Sequence, residues 1–93
     1  MKELKNTVAL MNSEDYKERF KAEYYQTKIR YEKLKAFNNK IEAADRTAFS
    51  NAPVKVTMPK HDCPIDLLRQ QQHAMGEYLH CLEVRAVIEG IEL

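Results

Sequence analysis

The chain has 93 residues, 44% hydrophobic and 31% charged, and its 15 basic and 14 acidic side chains leave a formal net charge of +1. That length fits a single small domain, and the composition fits an ordered, soluble chain rather than a disordered one. The near balance of charge excludes a dedicated duplex-binding protein, which carries a pronounced basic excess.

Residues 1–12 read as an N-terminal extension. Within it, 2–11 form a short amphipathic piece with Leu4, Val8 and Met11 on one side, interrupted by Asn12 and Ser13. Ser13 reads as an N-cap, with Glu14 and Asp15 in the first turn, where the helix dipole favours acids. A long helix over 14–44 follows. Phe20, Tyr24, Thr27, Tyr31, Leu34, Asn38 and Ile41 recur along it at alternating spacings of four and three, one stripe down a single face. A second apolar line comprises Ala22, Tyr25, Ile29 and Ala36, and Glu32 has Lys28 and Lys35 at attractive spacing.

Residues 45–63 form a connection in which Pro53 and Pro59 forbid helix. Val54 to Met58 alternates like a strand but has no partner strand, so an extended loop is expected. A second helix over 64–89 opens with Pro64 at its first position and Asp66 near the free amides, and stops at Gly90. Its stripe is Ile65, Leu68, Gln72, Met75, Leu79, Leu82 and Ala86. Gly76 lies mid-helix at a cost of ~1 kcal/mol relative to Ala, which a close helix crossing would explain.

The expected fold is all-α, an antiparallel hairpin of two long helices with a short N-terminal helical segment. Two helices cannot enclose a core alone. Beyond Leu82 the apolar residues Val84, Val87, Ile88, Ile91 and Leu93 spread around the second helix. They are the expected interface of a homo-oligomer built around a symmetry axis.

No apolar run approaches the ~20 residues of a membrane helix. The N-terminus lacks the apolar region of a signal peptide, which points to the cytoplasm. On one helix Cys63 and Cys81 would stand roughly 27 Å apart, too far for an internal disulfide. Cys81 is expected as a buried small hydrophobe. His61, Asp62, Cys63, His80 and Cys81 supply metal-ligand atoms, but not at the paired turn spacings of zinc sites, so no metal and no cofactor are expected. His73 and His80 share one helical face with Arg69, Gln70 and Glu77 nearby, either a ligand-facing strip or a solvated edge. Catalytic motifs are missing, and an enzyme ranks last among the readings. The best recognition chemistry is the interleaving of Tyr16, Tyr24, Tyr25 and Tyr31 with Lys17, Lys21, Lys28, Arg30 and Lys33. Aromatic faces stack on bases, and cations hold phosphates.

The segments 15–24, 28–34, 63–68 and 82–91 resemble a family of small phage and prophage proteins related to a crAss-like-phage hypothetical protein. In size and helical layout the chain is also similar to phage immune-evasion sponges. Those are oligomers that sequester cyclic nucleotide signals of CBASS or Thoeris defence. The resemblance implies a phage origin and a non-enzymatic sequestering role in the host cytoplasm. The ligand-binding residues expected from the chemistry are Tyr16, Tyr25, Lys28, Arg30, Lys33, Arg69 and His73. The rival expectations are an anti-CRISPR-like protein inhibitor of a host defence enzyme or nuclease, and a plain helical adaptor.

Overall fold

A computed structural model describes residues 3–93; Met1 and Lys2, at the start of the N-terminal extension, lie outside it. The order of elements is a 3-10 turn at Leu4–Thr7, then α1 (Val8–Met11), α2 (Tyr16–Thr47) and α3 (Ile65–Glu89). The described residues are all-helical, with no strand among them. None of their helices is long and apolar enough to cross a membrane.

The first helix starts later than the sequence suggests, because Asp15 and not Ser13 caps it. Asp15 Oδ1 accepts from the Lys17 amide at 2.9 Å, satisfying an orphan donor of the first turn. Ser13 sits one step outside, its hydroxyl accepting from the Asp15 amide at 3.0 Å. At the other end α2 continues three residues past Ala44, since nothing before Pro53 forbids helix there. At the start of α3, Pro64 occupies the cap position rather than the first turn, and its carbonyl accepts from the Leu68 amide at 3.2 Å. Gly90 ends α3 in the left-handed conformation at φ 70° that glycine alone tolerates without cost.

Contacts between α2 and α3 run in opposite order along the two helices. Tyr16 meets Glu89, Tyr24 meets Glu83, Asn38 meets Gln72, and Glu42 meets Arg69. The helices therefore lie antiparallel, stripe against stripe, and every one of the fourteen stripe positions is buried or half-buried. Phe20, Tyr24, Leu79, Leu82, Ala86 and Ile91 form the core cluster, with Tyr25 and Tyr31 packed against it. Gly76 does mark a close approach: a Cβ there would lie 3.2 Å from Tyr31 Cε1.

Part of the apolar surface outside the two stripes is covered within the chain. Ala22 and Ile29 are buried within the chain, because the N-terminal turn and α1 pack on α2. Thr7 anchors that segment: it is fully buried, its hydroxyl donates to Leu4 O at 2.7 Å, and it accepts from Gln26 Nε2 at 3.0 Å. Ile91, expected at a subunit interface, instead folds back past the Gly90 turn into the protomer's own core at 6% exposure. Its amide donates to Ala86 O at 2.8 Å.

Candidate functional site

A groove of about 860 Å³ opens between the middle of α2 and the N-terminal half of α3. Its origin lies in the two stripes. Where they carry Asn38 and Gln72 in place of large aliphatic groups, the helix seam is amide-filled. Asn38 is 4% exposed; its Nδ2 donates to Gln72 Oε1 at 2.9 Å and to Leu68 O at 3.2 Å. Its Oδ1 is buried and has no partner. A buried acceptor left unpaired is costly, so this amide is a strained point in the floor of the groove.

The walls add chemistry of several kinds. Tyr31 from α2 and His73 and His80 from α3 supply rings, Asn39 supplies a further amide, and Gly76 removes the side chain that would fill the middle. Arg69 reaches across to Glu42 Oε1 at a loose 3.5 Å, while Glu42 Oε2 takes Arg46 Nε at 3.1 Å. His73 Nε2 stands 3.1 Å from Glu77 Oε1. Such exposed pairs are worth little, so an incoming anion competes for Arg69 at small cost. Lys28 and Lys35 share the α2 face of Tyr31 by their spacings of three and four. Neither makes the ion pair with Glu32 that the sequence suggests. The Lys28 ammonium instead stands 5.8 Å over the Tyr24 ring.

Of the sequence-predicted ligand residues, Arg69 and His73 line the groove, whereas Lys28 does not and stands over the Tyr24 ring beyond it. Tyr25 is half-buried, edge-on to Tyr24 with centroids 5.2 Å apart. Tyr16 is elsewhere, at the end of the molecule beside Glu89 and Arg85. It donates to Glu89 Oε1 at 2.9 Å and accepts from Arg85 Nη2 at 2.7 Å. That hydroxyl, with Arg85, holds the Glu89 carboxyl below its ordinary range. Arg30 and Lys33 are exposed, but helix geometry turns them about 100° and about 160° away from Tyr31.

Groove residues missed by sequence reasoning are Asn38, Asn39, Glu42 and Gln72. The signal was present, since Asn38 and Gln72 are the polar positions facing one another in two apolar stripes. His73 and His80 prove to share one wall with Arg69 and Glu77, whereas Gln70 is not part of it. Cys81 is exposed at the rim of the groove rather than buried. No group of three or more metal-ligating side chains comes together among the described residues.

Deeper in the core, Tyr24 donates to Glu83 Oε2 at 2.7 Å. Burial, and then the Glu83 carboxylate, push its phenol up to about 12. It is therefore a fixed donor at neutral pH, closing the seam beyond the groove. Tyr78 donates to Glu23 on the other side of the same seam.

No curated protein and no solved structure matched the chain. A family model does match, over residues 14–88, which takes in all of α2 and the connection and reaches the last turn of α3. The groove and both stripes fall within that span, and the chain belongs to the Sequestin family.

Proposed function

We propose that this protein captures a cyclic nucleotide signal and holds it without turning it over, as a homo-oligomeric, phage-type immune-evasion protein in the host cytoplasm. The family's name denotes sequestration, which supports binding in place of catalysis. The observation that carries the reading is the meeting of rings, amides and a guanidinium in one groove. Tyr31, His73 and His80 offer faces on which bases stack. Asn38, Asn39 and Gln72 offer the paired donors and acceptors that read a base edge. Arg69 presents a bidentate fork to phosphate, the one cation among the described residues that line the groove. A volume of about 860 Å³ suits a ligand of nucleotide size. Tyr16, Tyr25, Arg30 and Lys33 lie off the groove and would reach the ligand only from a neighbouring copy.

The test is titration calorimetry against cyclic di- and trinucleotides and cyclic ADP-ribose isomers. At least one should bind, and Arg69→Ala should weaken it tenfold or more. Silence across the whole panel overturns the reading.

Inhibition of a host defence enzyme keeps one observation in its favour. Phe49 is fully exposed and Val54 is 68% exposed on the connection, where neither supports the fold. Capture of one defence enzyme, abolished by Phe49→Ala and unaffected by Arg69→Ala, would favour that reading instead.

A further inference from the structure

The charges of the groove are sorted by end. Where α2 stops and α3 starts, Glu42 engages two guanidinia at once: Arg46 Nε lies 3.1 Å from its Oε2, and Arg69 Nη2 lies 3.5 Å from its Oε1. Two cations against one carboxylate leave that group positive. Asp66, in the first turn of α3, stands apart from it, because its Oδ1 accepts from the Leu67 amide at 2.9 Å. At the other end Glu77 is the charged member of the lining, its Oε1 3.1 Å from His73 Nε2. Arg69 and Glu77 are eight residues apart on α3, which is about 12 Å of helix rise. That exceeds the screening length of ~8 Å at physiological salt, so each end acts on the part of a ligand beside it.

We infer that the ligand's phosphate is held at the Glu42 end by Arg46 and Arg69 together, with its base towards Tyr31 and His80. Arg46, which is not part of the groove wall, is thereby a second phosphate-binding residue, and Glu42 is the positioning residue for both arginines. The inference rests on the nucleotide reading above. Three observations support it. First, both guanidinia have donors to spare. Among the described residues, Arg46 gives only its Nε and Arg69 only one Nη, so most of the five N–H groups on each stay open. Second, two like charges side by side repel, and a carboxylate that takes one guanidinium on each oxygen offsets that repulsion. The pairs are exposed, so a phosphate displaces them at small cost. Third, the rest of the groove suits a base better than a phosphate. Glu77 repels an anion, while Tyr31 and His80 offer faces for stacking. Between the two ends lies Asn38, whose Oδ1 is buried without a partner. As an acceptor it favours the N–H of a base over a phosphate oxygen.

The test follows the Arg46 and Arg69 Nε–H signals by NMR, with inorganic phosphate first and then with cyclic di-AMP and cyclic ADP-ribose. Phosphate alone, at millimolar concentration, should shift both arginine signals and leave the Tyr31 and His80 rings still. A nucleotide that binds should shift all four. Phosphate that moves the two rings and neither arginine overturns the orientation. Arg46→Ala should weaken the nucleotide at least tenfold, with the denaturation midpoint unchanged because the side chain is exposed. Arg46→Lys keeps the charge without the fork and should recover only part of that loss. Glu42→Gln should weaken binding several-fold, although it removes a negative charge beside the phosphate. Tighter binding by Glu42→Gln would overturn its positioning role. Full nucleotide binding by Arg46→Ala, with a shift at Arg69 alone, overturns the clamp and leaves sequestration standing. Phosphate shifts at both arginines, with no member of the nucleotide panel bound, leave the clamp standing and overturn sequestration.

Discussion

The two halves of the α2–α3 seam obey the same spacing but contain different atoms. Towards the C-terminus of α3, Phe20, Tyr24, Leu79, Leu82, Ala86 and Ile91 close the seam with apolar volume. Tyr24–Glu83 and Tyr78–Glu23 hydrogen bonds latch its two sides. Towards the N-terminus of α3 the seam holds Asn38, Gln72 and Gly76, and there it opens into the groove. Periodicity makes the helices pack; what fills the stripe decides whether the packing yields a core or a site. The apolar half supplies most of the stability, leaving the amide half able to keep a buried acceptor without a partner.

That division predicts unequal responses. The largest effect is expected in the apolar half, where Leu82 is 1% exposed. Leu82→Ala should cost about 3 kcal/mol, read from the denaturation midpoint at unchanged slope. In the amide half the sign should reverse. Changing Asn38 and Gln72 together to Leu removes the buried amide and its half-buried partner and should stabilise the fold by about 1 kcal/mol. The same pair of changes should abolish ligand binding. A double variant that unfolds would erase the distinction between the two halves.

A smaller effect should separate the halves by pH. The Tyr24 phenol is raised to about 12 in the folded chain, against an ordinary value near 10. Its contribution is therefore complete below pH 10 and is lost as pH rises towards 12. Alkaline denaturation should show that loss, and Tyr24→Phe should remove it while costing about 1 kcal/mol at neutral pH. The smallest stability change is expected at Gly76→Ala. Helix propensity gains up to ~1 kcal/mol, and displacing the Tyr31 ring, 3.2 Å from the new methyl, takes about as much away. Binding should nonetheless weaken several-fold, because Tyr31 is moved off the groove wall.

Much of the fold could be read directly from the chain. Alternating spacings of three and four located both stripes, and the missing side chain at Gly76 pointed to a close contact, which the Tyr31 ring makes in place of a close helix crossing. Three features were harder to read, each for a physical reason. The N-terminal segment looked loose because its anchor is a hydroxyl, Thr7, buried by a hydrogen bond from Gln26 that no hydrophobic pattern reveals. Ile91 looked surplus because its burial depends on the left-handed turn at Gly90 sending the chain back over the core. The groove was half visible. Arg69 and His73 followed from their charge and ring chemistry, whereas Lys28, chosen on the same grounds, lies off the groove. Asn38 and Gln72 were taken only as stripe positions, since cross-helix register is needed to bring two amides together. Tyr16 was chosen for its aromatic character, yet its hydroxyl is occupied by Glu89 and Arg85.

The central claim, capture without turnover, is tested most directly by equilibrium dialysis of the purified protein against a cyclic dinucleotide, followed by heat release and mass analysis. The expected result is depletion of free ligand in proportion to protein, lost with Arg69→Ala, and recovery of the ligand with its mass unchanged. Free ligand left undepleted, or ligand recovered as a linear or cleaved product, would contradict the account.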